Sequence, residues 1–281
     1  MNKKLEAVKR AYKDNKQLKI GTVLLILLLM LAFLAGVLSP YSPYVLTEDI
    51  RVAPGVNGHL LGTDALGHDI LSQLLFGART SLRIGIVAAL IAGTIGTLIG
   101  GIAGFFGGKV DKFIVEFVNI FVMTPSFFLI LIVVAMFGSS MKYVMIVIGL
   151  TSWPGNARLM RAQAISLRNR TFVKSCQAMG ESRLSIMFRH IIPNGIFPII
   201  ANTTMRVSGA ILMESGLSFL GLGDPNVISW GQMISSGKAY LTNAPWISIV
   251  PGLAVVFTVL TFFLIGDGLN RVIAPKMNAN K

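Results

Sequence analysis

Acidic residues are scarce in this chain: its 281 residues hold 12 Asp and Glu against 25 Lys and Arg. Charge of either sign is also thin, at 13% of residues, while 53% are hydrophobic. A soluble domain of this length needs far more charge to cover its surface. There is one cysteine, Cys176, which excludes an internal disulfide framework and, with no second thiol nearby, gives no expected metal site. Only three histidines occur, His59, His68 and His190, and none falls inside a long apolar run. A phosphate-binding loop is missing too, since that motif needs Gly, four residues, then Gly-Lys-Ser/Thr. Gly108-Lys109 has Ala103, and Gly237-Lys238 has Gln232, where the first Gly belongs. ATP hydrolysis is therefore not expected of this chain.

Apolar runs long enough to cross a bilayer, about 20 residues each, recur along the sequence and imply an all-α polytopic membrane protein with six transmembrane helices. A basic N-terminus, 1–20, carries seven Lys or Arg and precedes the first run, 21–39. A cleaved signal peptide would have a shorter apolar core and a small-residue cleavage site. This run is longer and ends at Ser39-Pro40, so it reads as a retained span. A loop, 40–80, follows, and then a core, 81–270. Within the core, "KVDK" (109–112) reads as a turn into a third span over about 113–137. "GSSMK" (138–142) leads to a fourth over about 143–160. A basic segment, 158–194, separates this from a fifth span over about 195–215. The sixth covers about 247–268, and a tail, 271–281, ends the chain.

Six spans put both termini on one side of the membrane. The segments on that side hold seven, two, seven and three Lys or Arg, nineteen of the 25, as the positive-inside rule requires of cytoplasmic segments. The positive charge is thus spread over loops, with no accompanying nucleic-acid motif, and no nucleic-acid partner is expected. Gly96, Gly100, Gly104 and Gly108 recur at intervals of four and give the second span one face that another helix backbone can approach closely.

The basic segment contains "SCQAMGESRLSIMFRHIIPN" (175–194). Leu184, Met187, Phe188 and Ile191 fall at i, i+3, i+4 and i+7 and share one face of a helix. Ser182 suits its N-cap, and Pro193 is expected to stop it. "NRTFVKSCQAM" predicts a shorter helix upstream, with Gly180 as the hinge. The product is a helix–Gly–helix elbow. Read from these residues alone, it fits either a helix lying on lipid headgroups or an element that docks a cytoplasmic partner.

The elbow resembles the cytoplasmic loop of ABC-importer permeases, whose motif runs Glu-Ala-Ala, three residues, Gly, nine residues, Ile-x-Leu-Pro. Gly180 and Pro193 stand at that spacing. Lys174, Ser175 and Cys176 occupy the Glu-Ala-Ala positions, His190 the Ile position and Ile192 the Leu position. Histidine there matches the oligopeptide, dipeptide and nickel branch. "HLLGTDALGHDILSQLLFGARTSL" (59–82) resembles that branch's signature in the first external loop, through Gly62, Thr63, Asp64, Gly67 and Asp69, with His68 where Arg is usual. "ESGLSFLGLGDPNVISWGQMI" (214–234) is similar to the branch's segment before the last span. "IGDGLNRVIAPKM" keeps Gly266, Asp267, Leu269 and Pro275. The similarity runs from Gly21 to Lys276.

This resemblance implies a non-catalytic permease subunit with the ABC type I importer fold, spans two to six forming its core. It implies a second, homologous permease in a heterodimer, two cytoplasmic ABC ATPases and an extracellular solute-binding protein, within the cell membrane and its lipid. ATP and Mg²⁺ belong to the ATPases, and no cofactor is expected on this chain. The ATPase-coupling residues would be Lys174, Ser175, Cys176, Gly180, Glu181, Leu184, Phe188, Arg189, His190 and Pro193. The substrate class is short peptides, with a nickel chelate, glutathione or another small solute as runner-up.

Other readings remain open on the residues. Arg206 and Glu214 are charged residues within the fifth span, where charge is costly and often functional; they are candidates for the translocation path or gate. Ser218 in "GLSFLG" invites a hydrolase reading, which lacks a histidine base within any span. His59 and His68, nine residues apart, read as solvated loop residues, and Asp64 and Asp69 as turn and cap residues. A sensor that docks a cytoplasmic partner through the elbow is the alternative without transport.

Overall fold

In the computed structural model the described residues are Tyr12 and 15–273. The basic N-terminus therefore lies mostly, and the tail beyond 273 wholly, outside the described residues. Helix α1, Lys16–Phe33, is capped by Asn15, whose side chain accepts from Leu18 N at 3.1 Å and donates to Gly268 O at 3.0 Å. A short helix, α2 (Ala35–Leu38), follows. The long helix α3 spans Ile70–Phe106. Then come α4 (Gly108–Met123), α5 (Ser126–Phe137), α6 (Met141–Ser152) and α7 (Pro154–Arg168). The elbow holds α8 (Thr171–Ala178), α9 (Arg183–Ile186) and a π-turn, Met187–Ile191. It feeds α10 (Ile192–Phe219), and the chain closes with α11 (Trp230–Gly237) and α12 (Trp246–Ile273).

Among the described residues, four helical stretches are long and apolar enough to cross a membrane alone: α1, α3, the continuous run Arg183–Phe219, and Trp246–Val272. The pair α4–α5, bent by 74°, makes a fifth if taken as one span. By length and apolarity alone, four or five of the six expected spans are matched among the described residues. The expected span over about 113–137 breaks at Thr124-Pro125, where the residue before proline leaves the α region at ψ 120°. The expected span over 143–160 divides at Trp153, and Pro154 opens α7, its fixed φ suiting a first helical turn. "KVDK" lies inside α4, because the turn comes earlier, at Gly107 and Gly108, both at positive φ.

The external loop was expected to reach residue 80 but ends at Asp69. Asp69 caps α3 by accepting from Ser72 N at 2.8 Å, which starts the helix eleven residues early. At 37 residues α3 is the central element, about 55 Å long. Its glycines set two interfaces. A Cβ on Gly96 would stand 2.5 Å from Asn156 Cβ, and Cβ atoms on Gly100 and Gly104 would meet the carbonyl oxygens of Ala157 and Arg161 in α7. Gly85 and Gly93 face Ile211 and Thr203 of α10 in the same manner. Gly108, which was expected to continue the stripe, has open space around it and lies past the end of α3.

Polar side chains clamp the same bundle. Asn156 donates to Thr203 Oγ1 at 3.2 Å and accepts from Asn202 Nδ2 at 2.7 Å, joining α7 to α10 in a fully buried position. Arg79 of α3 donates to the carbonyls of Ala32 and Phe33 and so supplies partners for the C-terminal end of α1.

Candidate functional site

The elbow begins with α8 and ends that helix by a Schellman turn. Glu181 N donates to Cys176 O at 3.1 Å and Gly180 N to Gln177 O at 3.1 Å, with Gly180 at φ +79°. A glycine is needed there for its dihedral, since a Cβ would meet nothing within 4 Å. Ser182 then caps α9 by accepting from Ser185 N at 3.2 Å. These features match the hinge, cap and upstream helix anticipated from the sequence.

The rest of the elbow differs. Pro193 does not stop the helix. The backbone widens into a π-turn in which Ile192 N donates to Met187 O, and helix continues through Pro193 into α10. The i+5 bonding takes up the register change around a residue with no N–H to give. The presumed apolar face also divides. Met187 and Ile191 are buried with Ile186, Val173 and Cys176 in a cluster that reaches Phe105 and Met160. Leu184 and Phe188 remain exposed, at 59% and 51%. Phe188 lines an apolar groove of about 550 Å³ between α3 and α10.

Outward, the elbow presents Met179, 78% exposed, and Leu184, flanked in the chain by the exposed Lys174, Ser175, Arg183 and Arg189. Pro193 is exposed as well. Other basic residues of the segment serve the fold. Arg161 forks onto Asp111 at 2.5 and 2.7 Å, Arg168 donates to Gly104 O at 3.1 Å, and Arg158 donates to Asn119 Oδ1 at 3.0 Å. These bonds fasten α7 to α4 and to the last turn of α3, so the elbow hangs from a fixed base.

Glu181 ties the elbow together. It accepts from Ser185 Oγ at 2.6 Å and sits 3.1 Å from His190 Nε2. The Ser185 hydrogen bond, with smaller help from His190 and Cys176, holds the Glu181 carboxyl below the usual carboxylate range, against an opposing pull from desolvation. A carboxylate held low contributes stability above its unfolded value and loses it as pH falls through the folded one. Acidification below about pH 4.3, the ordinary glutamate value, will therefore lower the amide protection factors across 176–190, the intrinsic exchange rate at each pH being divided out. Glu181→Gln will have low protection factors throughout and show no such step; a step of parental size in that variant would contradict the assignment.

The signature residues of the loop before α3 build a compact cap on that helix. Thr63, fully buried, accepts from Val52 N at 2.8 Å, and Gly62 and Gly67 turn the chain at φ +80° and +86°. Asp64 accepts from Leu66 N, His68 N and His68 Nδ1 at 2.8–2.9 Å. His59 is buried, not solvated: its Nδ1 lies 2.9 Å from Asp69 Oδ1. Each histidine has its own aspartate partner.

Arg206 and Glu214 part company. Glu214 is buried, and its Oε1 accepts from Ser218 Oγ at 2.8 Å and Ser229 Oγ at 2.7 Å. It faces α11, a buried helix that the sequence reading passed over. Trp230 fixes α11 there by donating to Ser81 Oγ and Leu74 O. Ser218 thus serves as a donor to a structural carboxyl, with no histidine near. Arg206 is exposed, its guanidinium lying over Gly155 at the start of α7.

Residues 96–279 match the family described as the binding-protein-dependent transport system inner membrane component. The oligopeptide transport system permease protein OppC of Escherichia coli (strain K12) is 40% identical over 221 residues, 78% of this chain and 73% of its own. The dipeptide transport system permease protein DppC of Alkalihalophilus pseudofirmus is 36% identical over 269 residues, 95% of this chain and 88% of its own. The glutathione transport system permease protein GsiD of Pectobacterium atrosepticum is 36% identical over 244 residues, 86% and 81% of the two chains. A chain from inward-facing structures of the MetNI methionine ABC transporter matches with a TM-score of 0.56 at 18% identity, covering 71% of this chain and 96% of that one. That last likeness is one of fold.

Proposed function

The chain belongs to the family of binding-protein-dependent transport system inner membrane components, and from that premise we propose that it is the permease subunit of an ATP-driven importer of di- or oligopeptides. It would form the translocation path with a second, homologous permease, receive solute from an extracellular binding protein and be driven by two cytoplasmic ATPases that carry the ATP and Mg²⁺. The observation that supports this reading best is the elbow. It is a rigid, Gly-hinged pair of short helices with an apolar, basic-rimmed tip, rooted in buried contacts to α3 and α7. A lever that passes motion from a partner into packed helices needs a free tip and a fixed root.

The bias of basic residues places the elbow and both termini on the cytoplasmic side in this reading. Glutathione, itself a peptide, is the second reading, favoured by the GsiD relative's extent over 86% of the chain. Affinity purification of the tagged chain from native membranes tests the assignment. Two ATPases, a sister permease and a solute-binding lipoprotein will accompany it, and the ligand in that lipoprotein will separate peptide from glutathione. Recovery of the chain alone, or with signalling proteins, would overturn the assignment.

Arg206 carries a narrower expectation. An arginine in the middle of a spanning helix faces protein or water, not lipid, and this one is exposed from the single chain. It is proposed to line the path or the contact with the sister permease. Arg206→Met should lower uptake roughly tenfold, the equivalent of about 1.4 kcal/mol, with unchanged membrane abundance. Parental uptake at equal abundance would remove it from the path.

A further inference from the structure

Cys176, Glu181 and His190 come together on the elbow, their ligand atoms all within 4.8 Å of one another. We propose that they form a site for a zinc-class divalent cation, with Cys176 Sγ, Glu181 Oε2 and His190 Nε2 as the protein ligands. The expectation that Cys176 has no metal partners came from looking for a second thiol along the chain. Its partners are of other types, and only folding brings them close.

The three donors come from three parts of the elbow. Cys176 lies in the last turns of α8, Glu181 in the turn made by Gly180, and His190 in the π-turn. The Schellman bonds fix the first two relative to one another. Ser185 Oγ donates to Glu181 Oε1, orienting the carboxylate and leaving Oε2 toward His190. Such an outer hydrogen bond is what metal-ligating carboxylates ordinarily have.

The donor chemistry is selective. A thiolate favours softer metals, whereas Mg²⁺ and Ca²⁺ take oxygen shells. Thiolate, imidazole and carboxylate together form a set that zinc accepts in tetrahedral geometry. Bonds of about 2.0–2.3 Å put tetrahedral ligand atoms roughly 3.5 Å apart. His190 Nε2 and Glu181 Oε2 already stand 3.1 Å apart, and the Cys176 sulfur lies within 4.8 Å of both residues' ligand atoms. The His190 and Glu181 side chains are 33% and 24% exposed, which leaves a solvent side for cation entry and for a fourth ligand. Burial and the adjacent Glu181 push the Cys176 thiol up from its ordinary value. Cation binding takes the thiolate form and passes the thiol proton to the buffer.

A cation at this position links α8 to the π-turn that leads into α10, stiffening the elbow across its glycine hinge. The site stands apart from the transport reading, because binding is measured on the chain alone. The purified full-length chain in detergent is titrated with Co²⁺ and then Zn²⁺. One cobalt per chain will bind with a thiolate-to-metal charge-transfer band, and zinc will displace it. Cys176→Ser will lose the band, and both it and His190→Gln will weaken zinc binding by about tenfold or more. His59→Gln will bind zinc as the parent does. Cobalt bound without the band, parental zinc affinity in both Cys176→Ser and His190→Gln, or loss of zinc in His59→Gln alone would each overturn the site.

Discussion

Inserting two residues after Gly180 will abolish coupled uptake while the chain still reaches the membrane in normal amount. The insertion separates Glu181 from Cys176 and so removes the 6→1 bond that closes α8. It also displaces α8 from the π-turn, and the lever loses its fixed angle. Folding should survive, because the insertion point is exposed and nothing lies within 4 Å of where a Gly180 Cβ would stand. The buried root, Val173, Ile186, Met187 and Ile191, lies on either side of it. Gly180→Ala keeps the chain length and imposes only the cost of a side chain at positive φ, about 1–2 kcal/mol. It should retain part of the uptake. Labelled-peptide uptake, normalised to membrane abundance by immunoblot, checks both. Normal uptake by the insertion variant would refute the lever.

Much of the elbow was legible in the sequence because its signals are local. A Ser N-cap, a glycine at a helix end and an apolar spacing each act within a few residues, and the upstream helix, the hinge and the cap were all found. The fate of Pro193 was not legible. Proline before a helix and proline after one look alike in sequence, and the π-turn that joins α9 to α10 depends on Met187 and Ile191 being drawn into the cluster with Phe105 and Met160. The same long-range burial split the expected apolar face and left Leu184 and Phe188 outside.

The partners of charged groups were the least legible part. Glu214 was read with Arg206 as a candidate for the path or gate, yet its partners Ser218 and Ser229 straddle a turn, and the helix of buried Trp230 faces it. The basic segment was read as a connection between spans that carries the elbow, yet Arg161 and Arg168 reach back 50 and 64 residues to Asp111 and Gly104. Sequence spacing on a single helix shows which side chains share a face. It does not show which helix lies opposite, and for these groups the opposite helix decides.

The glycine stripe is the exception, since small residues at intervals of four announce a close neighbour without naming it. Gly100→Leu is expected to prevent stable folding. At Gly100 the backbone of α7 lies so near that a Cβ would overlap the Ala157 carbonyl oxygen, and the same holds for Gly104 and the Arg161 carbonyl. Overpacking a core by small increments costs about 1–3 kcal/mol, and those cases yield by moving side chains. Here the obstacle is backbone held by the Asn156–Thr203 and Arg161–Asp111 bonds, so α7 must leave α3 to make room for an isobutyl group. A loss above about 4 kcal/mol is the consequence, against a total stability of roughly 5–15 kcal/mol for a typical domain. Gly209 supplies the control: it is exposed on α10 with nothing within 4 Å of its Cβ position, and Gly209→Leu should fold as the parent does. Thermal unfolding followed by size-exclusion in detergent distinguishes the two. A Gly100→Leu chain that elutes and melts like the parent would mean that α3 and α7 are not in backbone contact, and the elbow would then lack the fixed base on which the lever depends.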